Sequence, residues 1–116
     1  MLTPHEVQAF NEKVQKFGQI EALQVTWGDD EPVALSLTLR PLDGAARHKR
    51  MILRAKGVRG LRLYPERVDV PEVGRLQIRN ITDRGWENAN FEVLDIEQNE
   101  ALGFYCDDLE VELRTY

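Results

Sequence analysis

The first turns of the chain alternate apolar and polar side chains at a helical spacing. Val7, Phe10, Val14 and Phe17 fall at i, i+3, i+7 and i+10 and form one stripe. Thr3 stands where an N-cap belongs, Pro4 suits the first helical position, and Glu6 completes a capping box. Gly18 is a natural C-terminal stop. The pattern predicts an amphipathic helix over 4–17 whose stripe covers a sheet. Its polar face is not strongly basic, which argues against a membrane-surface helix.

After Gly18 the period becomes two. Leu23, Val25 and Trp27 alternate with polar or small residues, Gly28-Asp29-Asp30-Glu31-Pro32 reads as a turn, and Val33, Leu35, Leu37 and Leu39 alternate again. These two runs predict an antiparallel hairpin. Pro41 to Ala46 is a second turn, and 49–56 a third strand. Gly57-Val58-Arg59-Gly60 breaks that strand, and Leu61 and Leu63 mark a short one. Residues 65–74, punctuated by Pro71 and Gly74, read as loop or irregular edge. Leu76, Ile78 and Ile81 open another strand, and Asp83-Arg84-Gly85 is a turn. In the strand centred on 91–96 the alternation slips, which calls for a β-bulge or for burial on both faces. Gln98-Asn99-Glu100 is a turn. Leu102, Phe104 and Cys106 share one parity, and Leu109, Val111 and Leu113 share the next strand's apolar parity.

These elements sum to a mainly β, α+β chain: an antiparallel β-sandwich or open barrel of seven or eight strands with one N-terminal amphipathic helix. The length of 116 residues fits a single domain, 1–116, with its own core. A single Cys excludes an internal disulfide. With no apolar run of membrane length and no signal-peptide pattern, a cytoplasmic location is the expectation.

The formal net charge of −5 conceals strong polarity. Arg40 to Arg67 holds nine Lys/Arg against two acids, and Asp83 to the end holds ten acids against two Arg. Arg50, Arg54 and Lys56 alternate on one strand face; Asp107, Asp108, Glu110 and Glu112 line the last strand. Two readings follow. The two faces meet as cross-strand pairs, or they stay exposed and attract a charged protein partner. Nucleic acid is disfavoured, because a single-strand binder interleaves aromatics and the basic segment contains only Tyr64.

Catalytic vocabulary is sparse. Cys106 falls on an apolar parity, beside Asp107 and Asp108, which would raise a thiol pKa rather than lower it. His5 and His48 are the only imidazoles, so a closed zinc site is out of reach. The acidic turns lack a calcium-loop pattern, and there is no phosphate loop. No cofactor, metal or catalytic residue is expected. Trp27 reads as core, whereas Trp86, set among Arg84, Glu87 and Asn88, reads as a partly exposed anchor. The candidate partner-binding residues are therefore Arg50, Arg54, Lys56, Trp86, Asp107, Asp108 and Glu110.

The stretch Asp83-Arg84-Gly85-Trp86-Glu87-Asn88, then Phe91-Glu92-Val93-Leu94-Asp95-Ile96-Glu97, then Gly103-Phe104-Tyr105-Cys106-Asp107-Asp108 resembles the C-terminal part of small uncharacterised bacterial β-rich proteins. Some of these are grouped with the immunity proteins of polymorphic toxin systems. Leu94 before Asp95 and Gly103 before the aromatic pair depart from that pattern. The resemblance covers about a quarter of the chain and implies a small non-enzymatic binder that neutralises a partner; it carries over no binding residues. The leading expectation is accordingly a protein-binding module, with a small-ligand-binding or hydrolytic sandwich as the alternative and homo-oligomerisation as a third reading.

Overall fold

A computed structural model describes residues 3–30, 32–63, 76–81, 90–95 and 102–116. Helix α1 spans Pro4–Lys13 and runs into a 3₁₀ turn, Val14–Lys16. The capping box forms as predicted: the Glu6 amide donates to Thr3 Oγ1 and the Thr3 amide to Glu6 Oε1, both at 3.2 Å. All four stripe residues are buried. The stop, however, is not at Gly18. The helix tightens at Val14, and Phe17 already has extended backbone, so Gly18 lies buried inside the first strand.

Eight strands follow among the described residues: β1 (Phe17–Trp27), β2 (Pro32–Pro41), β3 (Lys49–Lys56), β4 (Arg59–Leu63), β5 (Leu76–Asn80), β6 (Phe91–Asp95), β7 (Leu102–Cys106) and β8 (Asp108–Thr115). They build two antiparallel four-stranded sheets, ordered β1-β2-β3-β8 and β4-β7-β6-β5. This is the expected α+β sandwich, open rather than closed into a barrel. The predicted loop 65–74 and the turns at 83–85 and 98–100 lie outside the described residues.

The two sheets are joined at a corner. β3 continues into β4 and β7 into β8, and the two bent segments stay paired through both sheets. At the bend, the Asp107 amide donates to the Lys56 carbonyl at 2.9 Å. Gly57 sits there with φ +65°, and a Cβ on it would lie 2.7 Å from Asp107 Cβ. Only glycine meets both demands. Asn90 ties the second sheet to the same corner: its amide donates to the Cys106 carbonyl, and its side-chain Nδ2 to Asp107 Oδ1 and the Asp107 carbonyl.

Leu35, Leu37, Leu39, Met51, Leu53 and Ala55 from the first sheet pack against Ile78, Phe91, Val93, Leu102 and Phe104 from the second. In β6 every residue is buried while its register with β5 and β7 runs without a shift. Burial on both faces, not a bulge, therefore explains the slipped alternation. Trp27, in contrast to the expected core position, is 63% exposed. It ends the outermost strand opposite Pro32, after a register shift, where the hairpin overhangs the core.

The helix seals one side of the sandwich by a specific device. Asn11 Nδ2 donates to the Ile78 carbonyl at 3.0 Å, and the Ile78 amide donates back to Asn11 Oδ1 at 2.9 Å. The side-chain amide thus pairs with the outer edge of β5 as a neighbouring strand's peptide would.

Candidate partner-binding face

Strand alternation decides which side chains reach the solvent face of the first sheet. On β3 the inward set is Met51, Leu53 and Ala55, so Arg50, Ile52, Arg54 and Lys56 lie on the opposite face, where Ile52 is nonetheless buried. On β8 the inward set is Leu109, Val111 and Leu113, so Asp108, Glu110, Glu112 and Arg114 point outward. The register is unbroken: Lys56 faces Asp108, Arg54 faces Glu110, Ile52 faces Glu112 and Arg50 faces Arg114. A basic column therefore lies beside an acidic one. β2 and β1 extend the face with Ala34, Ser36 and Thr38 and then Ala22, Gln24 and Thr26. A shallow depression opens over Ala34 and Ser36, walled by Arg54 and Lys56.

Five of the seven candidate residues share this surface: Arg50, Arg54, Lys56, Asp108 and Glu110. Their surroundings differ. Arg50 is occupied inside the molecule: Nε lies 2.9 Å from Glu21 Oε2, Nη1 donates to the carbonyls of Arg47 and Lys49, and the guanidinium sits 6.0 Å from the Tyr116 ring centre. Arg54 and Arg114 converge on Glu112, whose Oε2 lies 3.6 Å from one and 2.7 Å from the other. That oxygen is buried beneath the two guanidiniums. Arg114 is held charged more firmly than usual, first by its hydrogen bond to the Tyr116 side chain and then by Glu112. Lys56 and Glu110 are exposed. Asp107 lies at the corner, engaged by Asn90. Trp86 lies outside the described residues.

Two further depressions lie between α1 and β8. One is lined by Glu6, Arg54, Lys56, Asp108, Leu109, Glu110 and Val111. The next is lined by Glu6, Ala9, Phe10, Lys13, Met51, Val111 and Leu113. They share Glu6 and Val111 and so adjoin in a groove between α1 and β8. Leu113 is 46% exposed within it. Its alternation reads as core in the sequence; the signal that finds the groove is the lack of a covering element, visible only in three dimensions.

Cys106 is 0% exposed and belongs to the core cluster, with its thiol pushed up to about 12 by burial and then by Asp108 and Asp107. His48 precedes β3 at the opposite end, about 25 Å of strand away. The described residues hold no cluster of three or more His, Cys, Asp or Glu fit for a metal. No helix among them is long and apolar enough to cross a membrane.

A family model described as "Immunity protein PIM8" matches residues 3–112. The chain belongs to the PIM8 immunity protein family. Neither the curated proteins nor the solved structures gave a match. The PIM8 match spans the helix, both sheets and most of β8. This agrees with the resemblance seen in the C-terminal strands and extends it to nearly the whole sequence.

Proposed function

We propose that this chain neutralises a toxin by direct, stoichiometric binding, without performing chemistry on it, and that it does so in the cytoplasm. The family match over residues 3–112 carries this reading. The outer face of the first sheet supports it physically. Lys56 and Glu110 are charged, exposed and set on a rigid ladder, so they can meet a complementary surface at little conformational cost. Arg50 and the Glu112 cluster shape that face rather than reach beyond it, because their charges already have internal partners. The closed environment of Cys106 counts against a hydrolytic sandwich, which would need its nucleophile accessible.

The test uses the adjacent reading frame in the source genome. Its product, expressed alone in a laboratory bacterial host, should arrest growth. Co-expression of this chain should restore growth, and the two proteins should co-elute in equal amounts with a salt-sensitive affinity. A neighbour that is toxic yet neither rescued nor bound would overturn the proposal.

A further inference from the structure

We propose that the outer edge of β8 is a docking site for an extended, basic segment of the partner, which adds to the first sheet as a fifth strand. The inference deepens the neutralisation reading and rests on it for the partner's being a toxin; the edge itself can be tested separately.

The four sheet edges differ in kind. The β1 edge carries three register shifts against β2. The β4 edge is bulged, with Gly60 and Leu61 facing the single residue Phe104. The β5 edge is occupied by Asn11. Bulges and covering elements are the usual means of keeping a strand from pairing with other chains. The β8 edge has neither: its register with β3 runs unbroken from Asp108 to Thr115, and no strand pairs with its far side among the described residues. The two depressions between α1 and β8 lie along this strand.

The chemistry of the occupant follows from the columns. Going outward, the face presents a basic column on β3 and then an acidic one on β8. A new strand with Lys or Arg at alternate positions would run beside this acidic column and meet the exposed Glu110 as a cross-strand pair. Its intervening side chains would turn inward against Val111, Leu113 and Ala9, so they should be apolar. A second copy of this chain fits badly. Antiparallel self-pairing centred on Glu110 sets that residue opposite itself and Asp108 opposite Glu112; centring it on Val111 sets Glu110 opposite Glu112 while Asp108 meets Arg114. Like charges in those positions repel. The acidic column thus disfavours the Glu110-centred self-pairing and suits a basic strand.

The probe is a synthetic peptide of alternating Lys and Val, matched to the eight residues of β8. Its controls are the same peptide with Glu for Lys, and the basic peptide N-methylated at alternate amides. Amide NMR shifts on the intact protein report the site. The basic peptide should perturb the amides of 108–115 and those of α1 facing the groove, with binding weakening as salt rises. N-methylation should abolish binding by blocking the ladder. Glu110→Lys should weaken it about tenfold while improving the acidic peptide. Glu12→Lys, on the exposed side of α1, should have little effect and controls for net charge. Equal binding of the N-methylated peptide, perturbation confined to other surfaces, no binding, or dimerisation in light scattering would each overturn the proposal. Growth rescue by a protein that fails this test would leave neutralisation standing and move the interface elsewhere; edge binding without rescue would do the reverse.

Discussion

A thiol at the inner end of β7 has no route to water. The folded state holds Cys106 protonated up to about pH 12, whereas an unfolded chain releases that proton near its ordinary value of 9.0. Below 9.0 both states carry the proton and no stability depends on it. Between 9.0 and about 12 the unfolded state alone loses it, so folding stability falls as pH rises through that window. The limiting slope is about 1.4 kcal/mol per pH unit. Denaturant melts of the wild type and Cys106→Ala across that range should show a shallower alkaline decline in the variant; parallel curves would refute the assignment. Native Cys106 should also react with a thiol reagent only at the rate of unfolding. A second residue-scale prediction concerns Gly57. Its positive φ and its approach to Asp107 mean that Gly57→Ala should cost about 1–3 kcal/mol in a denaturant melt, whereas Gly44→Ala, with open space around it, should cost little.

Among the elements, α1 does more than bury a stripe. Asn11 replaces the missing neighbour of β5, so Asn11→Ala should cost about 1–3 kcal/mol by leaving Ile78's amide and carbonyl unpaired in a part-buried site. Asn11→Gln should not rescue it, because the longer side chain misplaces the amide. Thermal melts of both variants check this. Elements of this kind mark the boundary of what the primary structure discloses. The capping box, the stripe and the period-two runs are local signals, and they place the helix and the strands close to where they are found. Edge status is not local. Trp27 and Leu113 keep the same alternation as buried neighbours, yet one overhangs the hairpin and the other opens into a groove, because burial depends on what lies across the sandwich. The candidate face has the same character. A basic strand and an acidic strand are both visible in the sequence, but whether Arg54 meets Glu110 is fixed by a register between distant segments. Val111 and Ala9 carry no signal of their own.

For the whole molecule, the bent pair β3–β4 with β7–β8 runs through both sheets, and Asn90 fastens their corner. The expectation of one domain over 1–116 therefore has a direct test. Hydrogen exchange should give amides of β3 and β8 the same opening free energy as those of β6 and β7, and Asn90→Ala should lower both together. Separate unfolding of the two sheets would contradict it.

That same bent pair also sets the order of events during synthesis. Lys56 finds its partner Asp108 only about fifty positions later. On a ribosome, β1, β2 and β3 emerge first, and β3 waits with a bare, basic margin until β7 and β8 follow. Pairings this distant along a chain make for slow folding, on the millisecond-to-second scale typical of β-sandwiches. In this chain the acidic strand that would greet a toxin is also the strand that completes the sheet. Neutralising capacity should therefore arise in one late step rather than build up gradually as the polypeptide lengthens.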